Sequence, residues 1–313
     1  MRRARGVALI IALVVVALAT MLATRIGAQS ALDQRRGATL LAQEQAFQVA
    51  LGAEAWAIEI LRDDAERTQR DSLDESWATP LPPVPIEGGT VEGRLEDMQG
   101  RFNLNNLVKS DGTKNEATFA VFQRLLARLQ LEPKWASLLV DWIDSDNVAD
   151  GIDGAEDGFY TGLSPPYRPP NRPITSTSEL LALPGFGPER YQRLAPFVAA
   201  LPVGTPINVC TAPGEVLDSL APTLSTFSQD PKQLATNRQK GCFPYAQDVK
   251  ALVDPLLTAD ERKAIDPLLA ESTRWFRGTI VVSIGTTEVT LYSLIERIPG
   301  GYSRVVLRTL GTE

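Results

Sequence analysis

The sequence of 313 residues contains no histidine. This absence excludes catalytic triads built on a histidine base, histidine-ligated zinc and general catalysis by imidazole. Cysteine is nearly absent as well, because Cys210 and Cys242 are the only two. Two thiols are too few for a four-thiolate metal site. Any metal ion bound by this chain must therefore take its ligands from oxygen atoms.

The chain also has little positive charge to offer a polyanion. Its 31 Lys and Arg residues are outnumbered by 38 Asp and Glu residues, which gives a formal net charge of −7. Nucleic acids are bound mainly through Lys and Arg side chains that displace counterions, so we expect no nucleic acid partner. The segment LLALPGFGPERYQRLAPF resembles a helix-hairpin-helix, but only Arg190 and Arg193 lie near its turn. We interpret it as a structural hairpin, with a DNA-binding module of the cell envelope as the alternative.

An uncharged stretch near the N-terminus is long enough to cross a membrane. Eighteen residues from Val7 to Thr24 carry no charge, near the lower limit for a helix that spans a hydrocarbon core of roughly 30 Å. Arg2, Arg3 and Arg5 precede this stretch, and the positive-inside rule keeps them in the cytoplasm. The rest of the chain is then predicted to lie on the other side of the membrane.

Helical apolar spacing continues beyond the uncharged stretch to about Arg67, and no proline occurs before Pro80. One helix over this range would be roughly 90 Å long at 1.5 Å per residue. A cleaved secretory signal with a site at Ala17-Leu18-Ala19 is the alternative. The apolar run continues past that site, which favours a retained anchor.

The remainder of the chain predicts strands on both sides of a helical block. Apolar and polar residues alternate within residues 71–108 and again within residues 272–313, whereas residues 109–271 mostly show helical spacing. We expect the strands from both ends to form one sheet. The predicted fold is therefore α+β: a long N-terminal helix plus a small antiparallel sheet, with a large inserted all-α domain.

The segment DWIDSDNVADGIDGAEDGFY, from Asp141 to Tyr160, holds seven carboxylates and no Lys or Arg. A solvated acidic loop is one interpretation, but the flanking Trp142, Ile143 and Phe159 would anchor the loop beside a core. A hydrolase with an acid/base pair needs only two carboxylates. Clustered carboxylates raise one another's pKa values, and a bound cation relieves that directly. The segment therefore favours a cation site.

Calcium suits such a loop, because it takes six to eight oxygen ligands in flexible geometry. Asp144 and Asp146 lie on alternate positions of a chain that leaves a helix, and glycines farther along allow Glu156 and Asp157 to fold back towards them. The spacing is not that of an EF-hand, since Ala155 occupies the twelfth position counted from Asp144.

The N-terminal leader ends in Gly6, an apolar helix follows directly, and together they resemble the type IV pilin and pseudopilin class. The resemblance implies cleavage by a prepilin peptidase between Gly6 and Val7, methylation of the processed chain, and an apolar helix that serves as membrane anchor and assembly spine. The residues expected to act in assembly are Val7, Leu9, Ile10, Ile11, Leu13 and Val14.

Ile11 occupies the position where most members of that class have a glutamate. A carboxylate inside a bilayer is costly unless it is paired, and in pilins it meets the terminal amine of a neighbouring subunit. A subunit at the end of the fibre, with no further subunit above it, needs no such carboxylate. The apolar Ile11 therefore indicates the tip of a fibre rather than its shaft.

Further segments resemble the K-type minor pseudopilins of type II secretion systems. These are GRFNLNNL (residues 100–107), DWIDSD (141–146), GAEDGFY (154–160), PPYRPPNRP (165–173), SELLALPG (178–185) and INVCTAPGEVLDSL (207–220). The resemblance implies a protein without enzymatic activity that caps the tip of the pseudopilus. It would initiate assembly with other minor pseudopilins, for export of folded proteins across the outer membrane.

Location, partners and domain boundaries follow from the same resemblance. The protein would be a single-pass protein of the bacterial inner membrane with its C-terminal domain in the periplasm. Its implied partners are the I-type and J-type minor pseudopilins, with the H type as a further candidate, the prepilin peptidase and the inner-membrane assembly platform. The boundaries are 1–6 for the leader, 7–24 for the transmembrane part and 25–70 for the periplasmic part of the helix, 71–108 and 272–313 for the pilin-like strands, and 109–271 for the inserted helical domain.

The resemblance also implies calcium in the helical domain. The candidate ligands are Asp144, Asp146, Glu156 and Asp157, followed by Asp150 and Asp153. A periplasmic hydrolase with a pair around Asp144 and Glu156 is the alternative function. In an oxidising periplasm Cys210 and Cys242 are expected to form a disulfide, with two buried free thiols as the alternative.

Overall fold

The computed structural model describes residues 4–298, 300 and 302–311, and for residues 4–6 the backbone alone. Residues 1–3 of the expected leader lie outside the described part of the chain. The prediction of cleavage between Gly6 and Val7 therefore depends on the sequence.

The first element is the helix α1, Ala4–Arg67, which is unbroken over 64 residues. Its N-terminal half is exposed and apolar, and among the described residues it is one helix with the length and composition to cross a membrane. Its C-terminal half begins to bury side chains at Ala46, where it meets the sheet. The prediction of one long helix ending near Arg67 is confirmed.

The strands and the remaining helices follow in chain order. The strands are β1 Leu81–Ile86, β2 Gly89–Asp97, β3 Phe102–Asn103, β4 Val198–Ala199, β5 Ile207–Asn208, β6 Leu269–Ala270, β7 Trp275–Ile284, β8 Thr287–Arg297 and β9 Ser303–Leu310. The helices are α2 Glu116–Arg128, α3 Lys134–Ile143, α4 Asp157–Tyr160, α5 Gly187–Leu194, α6 Gly214–Ser219, α7 Pro231–Arg238, α8 Ala246–Val253 and α9 Ala259–Ile265.

A five-stranded antiparallel sheet has the order β1-β2-β7-β8-β9, so strands from both ends of the chain form one sheet, as predicted. α1 packs on one face of it. The small side chains of Ala46 and Ala50 are fully buried there and let the helix lie close to Ile280, Val282 and Leu291. Burial of such apolar surface stabilises the contact by roughly 25 cal/mol per Å².

A buried polar contact fixes the position of α1 on the sheet. The register pairs Ser293 of β8 with Arg308 of β9. Both side chains donate to the carboxylate of Glu54 on α1, with Arg308 bonding it in a fork at 2.7 and 2.8 Å. Bidentate arginine–carboxylate pairs are geometrically specific. Sliding α1 along the sheet would leave a buried carboxylate without partners.

The helices α2–α9 lie between β2 and β7 in the chain, and they surround a hydrophobic core of their own. Two short parallel pairs, β3 with β4 and β5 with β6, connect its segments. Phe102 and Leu107 were expected among the pilin-like strands of residues 71–108, but both are buried in this helical core. The apolar run around β3 pairs with β4 rather than with the five-stranded sheet. The boundary between the pilin-like strands and the inserted helical domain, predicted at residue 108, stays a prediction. The burial of Phe102 and Leu107 in the helical core favours an earlier boundary.

A disulfide joins Cys210 and Cys242, as predicted. It closes a loop with a sequence separation of 32 residues within the helical core. In the chain-entropy description a loop of this size stabilises the fold by about 3 to 4 kcal/mol. Arg238 lies beside it, donating to the carbonyl oxygens of Val209, Ala212 and Phe243.

Candidate metal centre

The acidic segment begins on the helix α3, which follows Pro133 directly. The apolar side chains of this helix, among them Leu139 and Val140, are buried in the helical core. Asp141 lies among them and is fully buried, and Asp144 caps the C-terminal end of the helix with 4% of its surface exposed. A helix with a strongly apolar face thus carries two carboxylates into the protein interior.

Asp141 organises the loop that follows. Its Oδ1 accepts a hydrogen bond from the Asp150 backbone N–H at 2.9 Å, and its Oδ2 accepts one from the Ala155 N–H at 2.6 Å. A Cβ atom on Gly154 would lie 2.4 Å from Asp141 Oδ2 and from the Asp150 nitrogen. The loop can fold back onto α3 in this way because residue 154 is a glycine.

The fold-back brings three carboxylates together. Ligand oxygens of Asp141, Asp144 and Glu156 all lie within 4.8 Å of one another. Glu156 is 9% exposed. Among the described residues, Asp144 Oδ1 and both Glu156 carboxylate oxygens are buried without a hydrogen-bond partner. Buried polar atoms are normally satisfied, and a charged group without a partner is costly, so this arrangement fits a bound cation.

The electrostatics of the cluster point the same way. Burial raises the pKa of Asp144 to about 7, and Asp146, Asp141 and Asp150 add to the shift. Burial also raises the pKa of Glu156 to about 7, with repulsion from the neighbouring aspartates. Burial raises the pKa of Asp141 to about 6, although the two backbone hydrogen bonds that its carboxylate accepts lower this pKa. A divalent cation would hold all three groups in their charged form.

The structure does not place the other predicted ligands inside this buried cluster. Asp146 is exposed, and its Oδ1 accepts a hydrogen bond from the Val148 N–H at 2.8 Å. Asp153 is exposed. Asp150 pairs with Lys114 at 2.9 Å, and Asp157 lies 3.6 Å from Arg168. The segment itself contains no Lys or Arg, but the fold places Lys114 beside Asp150 and Arg168 near Asp157.

Asp141 is the member of the cluster that the sequence did not single out as a ligand. It belongs to the same acidic run, but its backbone contacts form only when the loop returns to α3. Its position between Leu138–Val140 and Trp142 was the available signal, since a carboxylate on a buried helix face needs partners.

The proline-rich segment 165–173 covers the acidic loop. Tyr167 packs against Trp142 and Tyr160, with ring centroids 6.3 and 5.3 Å apart. Asn171 donates to the Asp146 carbonyl oxygen and to Asn147 Oδ1, both at 2.9 Å. The segment is therefore a cover for the candidate metal centre.

A second acidic cluster lies at the end of α1. Oxygens of Asp64, Asp71 and Glu75 also lie within 4.8 Å of one another. Here the guanidinium of Arg297 donates to Asp64 at 3.2 Å and to Asp71. Glu75 accepts hydrogen bonds from the Ser72 N–H and the Trp77 indole. This cluster contains its own cation.

Of the two arginines near the turn of the helix-hairpin-helix segment, Arg190 bonds the turn itself and Arg193 is exposed. Arg190 donates to the carbonyl oxygens of Gly185 and Phe186, each at 3.0 Å. Leu180, Phe186 and Leu194 are buried in the helical core. The predicted structural hairpin agrees with this packing.

Comparison with known proteins assigns the family. A family model for type II secretion system protein K matches residues 100–203. The type II secretion system protein K of Pseudomonas aeruginosa is 36% identical over 326 residues, covering 99% of this chain and 94% of that protein. The chain belongs to the type II secretion system protein K family. The K protein of Aeromonas hydrophila is 31% identical, covering 95% of this chain and 94% of that protein.

A solved structure shows the same fold. It contains the GspK-GspI-GspJ complex of the enterotoxigenic Escherichia coli type 2 secretion system. The matching chain superimposes with a TM-score of 0.76 at 23% identity, covering 89% of this chain and 100% of the other. The predicted K-type resemblance and the pilin-like fold are confirmed. This K-family chain is a minor pseudopilin of type II secretion, with α1 as its single-pass anchor.

Proposed function

We propose that this K-family chain caps the tip of the pseudopilus and initiates its assembly. The observation that carries the proposal is the position of the helical domain, a bulky insertion between β2 and β7 on the same sheet that receives α1. Ile11 supports a terminal position, because no carboxylate is present there to meet a subunit above.

The proposed tip partners are the I-type and J-type minor pseudopilins, with the H type as a further candidate. A K-family neighbour of the same fold was solved in a complex with GspI and GspJ, which supports the choice. Co-expression of the full chain with both partners, followed by affinity purification in detergent, tests it. We expect one complex of all three proteins, and recovery of a folded chain without either partner would contradict the proposal.

The proposed location is the inner membrane, with the domains after α1 in the periplasm. The disulfide between Cys210 and Cys242 supports an oxidising compartment. Prepilin peptidase would cut between Gly6 and Val7, and the processed chain would carry the methylation and meet the assembly platform. Intact-mass measurement of the purified chain should show loss of residues 1–6, and an uncut chain would argue against this processing.

We propose calcium as the ion of the candidate metal centre. Asp144 and Glu156 supply buried oxygens without partners, and Asp141 lies beside them. Exposed Asp146 and half-buried Asp157 lie nearby, where their charges add to the burial that raises the pKa of Glu156. Calcium would supply no chemistry, and would hold the returning loop against α3. Calcium should raise the thermal midpoint of the purified chain and a chelator should lower it, whereas equal midpoints would exclude this role.

The comparisons give no support to the alternative of a periplasmic hydrolase with Asp144 and Glu156 as its acid/base pair. Both carboxylates are nearly buried beneath the returning loop, which leaves little access for a polymeric substrate. The family assignment supports an assembly protein without enzymatic activity. Turnover of glycosidic or ester substrates by the purified chain, lost in Glu156→Gln, would favour the hydrolase instead.

A further inference from the structure

The chain crosses between the five-stranded sheet and the helical core twice. It enters the helical core after Asp97, the last residue of β2, and it returns through Thr273, just before β7. A third segment, the residues after α1, runs beside both crossings, because the Asp71 N–H donates to the Glu271 carbonyl oxygen at 2.9 Å. Three separate segments of the pilin-like part therefore meet at one place.

The side chain of Asn208 joins all three segments. Its Nδ2 lies 2.8 Å from both the Asp71 carbonyl oxygen and Asp97 Oδ2 and 3.1 Å from Thr273 Oγ1, so that its two N–H groups are shared among three acceptors. Asn208 belongs to β5 in the helical core and is fully buried. Its Oδ1 accepts the Cys210 N–H at 3.1 Å, so the amide is also fixed from the helical side.

Further hydrogen bonds close the contact around this amide. The Asn208 N–H donates to the Gln99 carbonyl oxygen at 2.8 Å, and Gln99 Oε1 accepts the Arg274 N–H at 2.7 Å. Asp71 Oδ2 accepts the Thr273 N–H at 2.6 Å. Fully satisfied buried networks of this kind hold a single arrangement, since partial loss leaves desolvated groups without partners.

We propose that Asn208 is the positioning residue of a rigid joint, formed by Asp71, Asp97, Gln99, Asn208 and Thr273, that fixes the direction of the helical domain relative to α1 and the sheet. The proposal rests on the proposed tip function, in which fibre growth acts on α1 and the helical domain must follow. Without the joint, the helical domain would be held on the sheet by the two crossings and by the small apolar cluster of Ala199 and Leu201 with Trp275. Its direction at the tip would then vary.

Other buried asparagines provide a matched comparison. Asn105 donates to the carbonyl oxygens of Ile174 and Leu201, and Asn106 donates to that of Thr205. All of these partners belong to the helical region. Asn106→Ala should therefore loosen the helical core itself, whereas Asn208→Ala should loosen its attachment.

The test measures an inter-label distance in the full chain purified in detergent. Spin labels are attached at Ala55→Cys on α1 and at Gln192→Cys on α5, both exposed positions. The native cysteines are held in the disulfide and do not react. Electron paramagnetic resonance should give a narrow distance distribution in the otherwise unchanged chain.

Asn208→Ala should broaden that distribution at least twofold while the disulfide and the thermal midpoint of the helical domain are retained. Asn106→Ala should lower the midpoint and leave the distribution narrow. An unchanged narrow distribution in folded Asn208→Ala overturns the joint. If Asn208→Ala does not fold, Asn208→Ser keeps a polar side chain that is too short to reach all three segments, and a distribution as narrow as that of the parent chain overturns the proposal equally.

The outcome is separable from the tip proposal. The distance is measured on the isolated chain, so it needs no partner. Failure of the unsubstituted chain to bind the I-type and J-type proteins would contradict the tip function and leave the joint standing. Normal binding of the I-type and J-type proteins, together with a narrow distance distribution in folded Asn208→Ala, would contradict the joint alone.

Discussion

Two clusters in this molecule each bring three carboxylates within 4.8 Å, and they resolve the repulsion in different ways. At the end of α1, Arg297 lies between Asp64 and Asp71. In the helical domain, Asp144 and Glu156 have buried oxygens for which the described protein atoms supply no donor. The first cluster is a structural ion-pair network, and the second has the composition of a cation site.

The comparison teaches that acidity alone does not indicate a metal. Both clusters contain carboxylates whose pKa burial raises to about 7, namely Asp64 in the first and Asp144 and Glu156 in the second. The two clusters differ in the hydrogen-bond donors that their carboxylate oxygens find in the protein. We therefore expect the resident guanidinium to make the first cluster indifferent to calcium, and the unpartnered oxygens to make the stability of the second cluster depend on the ion.

The largest effect is expected from removing the resident cation. Arg297→Met leaves Asp64 and Asp71 buried without their shared partner, which should lower the free energy of unfolding by about 3 to 5 kcal/mol. Urea unfolding followed by tryptophan fluorescence measures it. Arg36→Met is the control, since its pair with Asp33 is 3.7 Å long and exposed, and such pairs contribute less than about 1 kcal/mol. A loss as small as that of the control would show that the first cluster does not need Arg297.

The next largest effect is expected at the second cluster, where the change in stability caused by one substitution should reverse its sign when calcium is added. Glu156→Gln should be more stable than the parent chain in a chelator, because it removes an unpartnered buried charge, and less stable in excess calcium. Calcium at 100 times its dissociation constant adds about 2.7 kcal/mol to the free energy of unfolding, and the variant should lose most of this stabilisation. Thermal midpoints with and without calcium measure this.

Glu75→Gln is the matched control for that reversal, because it lies in the cluster that Arg297 occupies. It should retain the full response to calcium. A calcium response that survives Glu156→Gln and disappears in Glu75→Gln would exchange the roles of the two clusters.

A smaller effect concerns pH. Without calcium, the folded-state pKa values of Asp144 and Glu156 are near 7, above their ordinary values of 3.8 and 4.5. The folded state then holds protons that the unfolded state releases, so the stabilisation from these two groups should be complete below about pH 4 and lost as pH rises to about 7. Saturating calcium displaces those protons and should flatten this part of the profile. The slope from Asp64 should stay, since its pKa of about 7 arises away from the site. Urea midpoints at pH 5 and 7 that show one identical slope with and without calcium would contradict this.

The smallest effect is expected at the rim of the second cluster. Lys114→Met removes a partly buried ion pair with Asp150 and a second pair with exposed Glu116, and should lower the unfolding free energy by about 1 kcal/mol. Because a nearby positive charge is lost, calcium affinity should rise about threefold at low salt. Calorimetric titration measures this, with Lys134→Met as the control. Weaker binding in Lys114→Met would mean that the lysine helps to build the site.

Local patterns allowed much of the architecture to be predicted. The period of apolar residues gave α1 and its end near Arg67, and alternating patterns gave the strands of the sheet. A strand is present at Phe102 as expected, but the sequence did not indicate its partner, because two-residue parallel pairs such as β3 with β4 depend on a distant segment. Asp141 was missed as a member of the cluster for a similar reason, since its partners are backbone groups that arrive only when the loop returns.

Composition and short-range periodicity were enough to predict an N-terminal helix that fits a single-pass anchor, oxygen ligands for any metal ion, and a bridge from Cys210 to Cys242 within the chain. The carboxylates that already have a cationic partner could be identified from the folded structure alone. Arg297 lies 233 residues from Asp64, and Lys114 lies 36 residues from Asp150. Charges pair through space and not along the chain, so the difference between a structural acidic cluster and a cation site appears only after folding.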